Sequence, residues 1–68
     1  MAKFLDLEER TAQAGKFRVA TMKDGVEVAI VDIKDLGEAL DLVQNLHQLF
    51  SFNCRVYNEL AFTVSSAY

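Results

Sequence analysis

The chain has 68 residues, of which 51% are hydrophobic and 25% are charged, and its formal net charge is −3. This length allows one small domain, and the apolar content excludes a disordered chain. No run of basic residues is present, so we expect no nucleic-acid partner. We also expect a cytoplasmic protein, because no apolar stretch is long enough for a membrane span and the N-terminus has no apolar core of a secretory signal.

The first 15 residues are predicted to form an N-terminal arm or a short helix. Leu7 to Ala14 tolerate a helix, and Gly15 lies where such a helix would end. Residues 16–68 are predicted to form a single α+β mini-domain.

Residues 16–33 alternate between two faces, which predicts a β-hairpin. Asp24-Gly25 favours a two-residue type I′ turn, so Lys23 should lie opposite Val26 and Val19 opposite Ile30. By the same register Phe17 should lie opposite Asp32. One face then presents a set of apolar residues that we assign to the core, and the other face presents a less strongly apolar patch. The core set is Phe17, Val19, Val28 and Ile30, and the patch is Ala20, Met22, Ala29 and Val31.

A helix is predicted from Asp35 to Phe50, with Asp35 as its N-cap. Its apolar residues cover about half the helical circumference, which is wider than the stripe that a small sheet needs. The excess suggests a second partner surface. We expect the most buried residues to be Leu40, Val43, Leu46, Val19, Ile30 and Val56.

A second hairpin is predicted after the helix. Phe52, Cys54 and Val56 alternate with polar residues, and a three-residue loop near Asn58 would place Leu60, Phe62 and Val64 on the same face. The predicted fold is therefore α+β: a three- to four-stranded antiparallel sheet in hairpin–helix–hairpin order, with one long helix on one face. In outline, a hairpin followed by an acid-capped helix containing Glu38-Ala39-Leu40 resembles short phage proteins that block host enzymes, and also antitoxin-type domains. The resemblance transfers no functional residue.

No set of residues predicts catalysis. His47 lies at the edge of the apolar arc and Cys54 on the inward side of its strand, so we interpret both as structural residues. Asp32 and Asp35 lack the dense series of oxygen ligands of a calcium loop. The glycines form no phosphate-binding loop. We therefore expect no enzyme activity, no cofactor, no metal and no small-molecule substrate.

The sequence predicts a small non-enzymatic protein-binding module, such as a phage- or bacterial-type regulator or inhibitor that occupies a surface of a larger protein. The alternative is a structural subunit of a homo-oligomer or larger particle. We expect a protein partner and a symmetric homodimer, because a bare apolar sheet face and open strand edges favour association. The predicted interface consists of Ala20, Met22, Ala29, Val31, Arg55 and Tyr57.

Overall fold

The computed structural model describes residues 2–67 as an antiparallel four-stranded sheet with a long helix on one face. The elements are α1 (Leu7–Arg10), β1 (Phe17–Lys23), β2 (Val26–Ile33), α2 (Leu36–Phe50), β3 (Cys54–Tyr57) and β4 (Thr63–Ala67). The strands lie in the order β2-β1-β3-β4, so β2 and β4 are the two edges. The predicted α+β class and the short N-terminal helix are confirmed.

The first hairpin turns at Asp24 and Gly25, whose φ angles of 53° and 81° are those of the predicted turn. Lys23 pairs with Val26, as expected, but the register shifts by one residue between Val19 and Ala20. Val19 therefore lies opposite Val31, and the prediction that it faces Ile30 is wrong. A β-bulge places Ile30 as an extra residue and reverses the alternation beyond it.

Helix α2 begins where predicted, since the Asp35 side chain accepts a hydrogen bond from the Gly37 N–H at 2.7 Å. It ends at Ser51, whose backbone is left-handed with a φ of 59°. The core below the helix contains Val19, Ala39, Val43, Cys54 and Val56, with Leu46 packed against it.

The prediction of buried residues is confirmed for Val19, Val43 and Val56 and is wrong for Leu40 and Ile30, which are both exposed. The small side chain of Ala39 is fully buried between the helix and the sheet. Each residue turns the helix by about 100°, so Leu40 lies on a flank of α2 and not beneath it.

The prediction for the second hairpin is wrong in its loop. Asn58 organises that loop, because its side-chain oxygen accepts from the N–H groups of Leu60 and Phe62, both at 2.9 Å. Strand β4 therefore begins only at Thr63, and Ser65 and Ala67 lie opposite Val56 and Cys54. The inward positions of β4 are small, whereas the predicted inward residues are exposed: Leu60, Phe62 and Val64.

Residues 2–15 cross the sheet face opposite α2, and we call this segment the N-terminal strap. Leu5 forms a second buried cluster there with Ala20 and Tyr57. Ala20 and Tyr57 alternate with Val19 and Val56 along their strands, so they point away from the helix. The sheet is thus covered on both faces.

Two leucines of α2 test this packing. We expect Leu46→Ala to lower the free energy of unfolding by about 2 kcal/mol, the lower end for a leucine truncation, because Leu46 is only partly buried against the core. The matched control is Leu49→Ala, whose side chain is 73% exposed and whose loss should change stability by less than about 0.5 kcal/mol. Urea denaturation measures both, and equal effects of the two substitutions would contradict the position of the helix.

Candidate protein-binding surfaces

A buried carboxylate holds the strap on the sheet. Glu27 is only 3% exposed. The Tyr57 hydroxyl lies 2.9 and 2.8 Å from the two carboxylate oxygens, and the Leu5 N–H donates to one of them at 3.0 Å. A buried carboxylate needs such donors, because its desolvation is otherwise costly. Glu27 therefore links the strap to two strands, β2 and β3.

The surroundings of Tyr57 reflect the same burial. Desolvation raises the pKa of its hydroxyl above the ordinary value, and Glu27 raises it further, whereas Arg55 lowers it. The Arg10 guanidinium lies 5.4 Å from the centre of the Tyr57 ring and also donates to the Leu5 carbonyl. Arg10 thus holds α1 over the Tyr57 ring. Because the pKa of the Tyr57 hydroxyl is raised, this hydroxyl is protonated at neutral pH and can donate a hydrogen bond.

A second polar anchor fixes the far end of the strap. Arg18 donates to both carboxylate oxygens of Asp32, at 2.7 and 2.9 Å. Arg18 also donates to the Glu9 carbonyl, and Asp32 accepts from the Gln13 N–H. The Arg18 hydrogen bonds hold the pKa of Asp32 below its ordinary value although burial opposes them, and the Gln13 N–H adds to the lowering.

The structure disperses the residues of the predicted interface, so the expectation of one bare apolar patch is wrong. Ala20 and Tyr57 are fully buried beneath the strap. Val31 lies on the helix side of the sheet, because the bulge at Ile30 places it opposite Val19. These three residues therefore cannot share an exposed patch.

The other residues of the predicted interface lie beside the strap. Met22 and Arg55 are half-buried, and the Arg55 guanidinium lies 4.3 Å from the centre of the Phe4 ring. Ala29 is exposed and lines an open cleft of about 460 Å³ between the strap and β2. Their contact with a partner stays a prediction.

His47 and Cys54 have structural positions. Nδ1 of His47 lies 3.0 Å from the Phe52 carbonyl oxygen, which it reaches as a donor just beyond the end of α2. Cys54 is buried in the core, with its sulfur 3.6 Å from the Thr21 hydroxyl. A reactive thiol needs a cationic, partly exposed setting, and the buried surroundings of Cys54 do not provide one.

Strand β2 carries the most regular exposed apolar surface. Val26, Val28, Ile30 and Val31 are between 38 and 48% exposed, and we call them the β2 flank. Only Lys3 pairs with the outer edge of this strand within residues 2–67: its N–H donates to the Gly25 carbonyl, and its carbonyl accepts from the Glu27 N–H, both at 2.7 Å. Beyond Glu27 the edge is open to another strand.

A second groove lies at the opposite edge of the sheet. It measures about 370 Å³ and separates α2 from β4, and we call it the β4 groove. Its lining comes from one flank of the helix and from the last residues of the strand: Leu40, Val43, Gln44, His47, Gln48, Ser65, Ser66 and Ala67.

Sequence analysis missed Glu27 and Arg10, which hold the strap together with Leu5. The one local signal was a glutamate between two valines of a strand, Val26 and Val28. An isolated charge at such a position is usually solvated, so the sequence does not distinguish Glu27 from an ordinary surface residue.

No family model, curated protein or solved structure matches this chain. None of the helices in residues 2–67 has the length and apolar character needed to cross a membrane. The same residues contain no group of three His, Cys, Asp or Glu side chains that could hold a metal ion. Function must therefore be inferred from the exposed surfaces.

The Arg18–Asp32 pair predicts an acid-sensitive contribution to stability. The pKa of Asp32 is lowered in the folded state. The ion pair therefore contributes fully to stability at pH values above the pKa of Asp32 in the unfolded chain, about 4. This contribution is lost as the pH falls through the pKa of Asp32 in the folded state. We expect Asp32→Asn to destabilise the protein by roughly 1 kcal/mol at pH 7, the upper end for a solvent-screened pair. The difference from the unmodified chain should shrink at about pH 3.

Urea denaturation at both pH values measures this effect. The control is Asp41→Asn, which changes an exposed acid on α2. A difference between Asp32→Asn and the unmodified chain that stays constant with pH would show that the carboxylate charge is not what stabilises the contact.

Proposed function

We propose that this chain is a non-enzymatic protein-binding module that docks an extended apolar segment of a larger protein on β2. The observation that carries the proposal is the β2 flank, a row of four exposed apolar side chains on a strand at the edge of the sheet. Edge strands normally carry charges, proline or a covering segment that prevent pairing. An uncovered apolar edge is typical of a site for strand addition.

The strap supports this mode of binding, because Lys3 already pairs with β2 as a strand would. A partner segment that continues from Lys3 would use the free N–H and C=O groups beyond Glu27. Its alternate side chains would contact Val28 and Val31, which share the helix side of the sheet. Main-chain hydrogen bonds would supply affinity, and the apolar side chains would select the sequence.

A regulator or inhibitor could work in this way without any catalytic group, by covering a segment that its target needs. The absence of charge among the four β2 flank residues favours an uncharged segment in the target. The β-bulge at Ile30 interrupts the regular pairing edge, so it limits the length of strand that can pair with β2.

The alternative, a structural subunit of a larger assembly, is favoured by one observation: both edges of the sheet are open, at β2 and at β4. Pairing of β4 of one copy with β2 of the next would be a head-to-tail contact, which builds an open-ended array and not a closed oligomer. Such an array would appear in sedimentation as a size that keeps growing with concentration. A specific target bound by a species of fixed size would exclude it.

Immobilised protein should capture its target from a lysate of the cells in which the chain is naturally made, and mass spectrometry identifies what is retained. We expect a partner that is retained by the unmodified chain and lost by Ile30→Lys, because the substitution puts a charge in the middle of the β2 flank. The matched control is Leu7→Lys, which places the same charge on an equally apolar residue that is 70% exposed on α1.

The control variant should retain the partner, and thermal melts of both variants should show an intact fold. A partner that binds Ile30→Lys as well as the unmodified chain would contradict docking on β2. Loss of the partner by both variants would locate the binding surface on the strap instead.

A further inference from the structure

We propose that the β4 edge and the β4 groove form a symmetric interface with a second copy of this chain. This surface lies at the opposite edge of the sheet from the β2 flank, so the proposal stands or fails independently of the function proposed for β2. The occupant is identified by the distribution of charge around the groove.

Strand β4 has none of the usual protection against pairing with another strand. Its residues, Thr63 to Ala67, include no charged residue and no proline, although one residue in four of the whole chain is charged. Edge strands of natural proteins usually carry lysine, proline or a bulge that discourages pairing. The only irregularity in β4 is the register shift near Val64, at the beginning of the strand.

The helix beside β4 is also uncharged on the side that lines the β4 groove. The flank of α2 at the groove consists of Leu40, Gln44, His47 and Gln48. At about 100° per residue, Asp41 lies about 20° and Glu38 about 80° from Gln48 around the helix, so both exposed acids lie beyond Gln48, on the outer surface of the helix away from Leu40. The exposed Leu40 and the other helix residues that line the groove include no acid, lysine or arginine.

Two-fold symmetry restricts the charges that an interface can carry near its axis. In a two-fold interface the same patch meets itself, so any charge near the axis faces a like charge in the other copy. A partner of different sequence would impose no such restriction and could be selected by complementary charges. An uncharged edge strand beside helix residues without charge, in a chain with a net charge of −3, avoids such like-charge contacts and so favours a second copy as the occupant.

The geometry of the pairing follows from the strand direction. Two copies of β4 related by a two-fold axis perpendicular to the sheet would pair antiparallel and join two four-stranded sheets into one. Both α2 helices would then lie on the same face of the joined sheet. Leu40 and Gln44 of each copy would meet across the axis, which would cover the exposed side of Leu40 and fill the groove.

Sedimentation of the full chain over a range of micromolar concentrations tests this interface. We expect a species of twice the 7.6 kDa mass of one chain, with no larger species. Leu40→Lys should raise the dissociation constant at least about tenfold, because two lysines would meet at the axis. Leu49→Lys, the same change on the other flank of α2 at a more exposed leucine, should leave the dimer unchanged, and so should Ile30→Lys on β2.

A cross-linking experiment decides the question if Leu40→Lys fails to fold. Ser66 is exposed on β4, and the natural Cys54 is buried, so the Ser66→Cys variant presents one accessible thiol. A short bis-maleimide should join two copies of Ser66→Cys in dilute solution. The same reagent should not join copies of Ala14→Cys, an exposed position on the strap.

Sedimentation of the unmodified chain as a monomer throughout the micromolar range would overturn the proposal. Equal dissociation constants for Leu40→Lys and Leu49→Lys would also overturn it, as would equal cross-linking of Ser66→Cys and Ala14→Cys. In each case the β4 groove would have to accept a different protein or nothing.

Discussion

The buried carboxylate of Glu27 is the interaction on which the two-sided packing of this sheet depends. The central strands β1 and β3 carry buried residues on both faces, with Val19 and Val56 toward α2 and Ala20 and Tyr57 away from it. One helix cannot cover both faces. The strap covers the second, and Glu27 fixes it by accepting hydrogen bonds from Leu5 in the strap and from Tyr57 in β3. Removing either donor would leave a buried charge less well satisfied.

This division of the chain into helix, sheet and strap explains where the exposed apolar surface lies. The helix and the strap cover the middle of the sheet on its two faces, and within residues 2–67 only Lys3 pairs with an outer edge. A chain this short is marginally stable on its own, and association is a common remedy. The β2 flank and the β4 groove lie at the two edges of the sheet and differ in character. Strand β2 is bulged and already in contact with Lys3, whereas β4 and the helix residues that line the groove carry no acid, lysine or arginine.

Local signals in the sequence predicted the turn of the first hairpin and the start of α2 correctly. Asp24-Gly25 specified its turn because the required positive φ angles select such residues, and Asp35 specified the start of α2 because its side chain caps the helix. The class of fold followed from the alternation of strands and the helical periodicity between them. These signals depend only on neighbours in sequence.

The errors arise from hydrogen bonds and packing that the hydrophobic pattern does not indicate. The bulge at Ile30 brings Asp32 opposite Arg18, where the two form their ion pair, and no local pattern indicates that pairing. The sequence predicts the strap only as an arm or short helix, because its anchors, Leu5 and Ala12, are isolated apolar residues that become buried only against the sheet. Leu60 and Phe62 continued the alternation of a strand, but Asn58 diverts them into a loop. Ala20 and Tyr57 of the predicted interface are buried, since the strap covers the face that the sequence pattern left bare.

Native-state hydrogen exchange of the Leu5 amide tests most directly whether the strap is an integral layer of the domain. This N–H donates to the buried Glu27 carboxylate at 3.0 Å, so it should exchange only when the strap leaves the sheet. We expect the Leu5 amide to be protected to a degree comparable with the amides of the central strand β1. Lys3 and Gln13, whose N–H groups also donate to β2 or its turn, should be protected as well. Exchange of the Leu5 amide at the rate of an unstructured peptide, while β1 remains protected, would contradict this expectation.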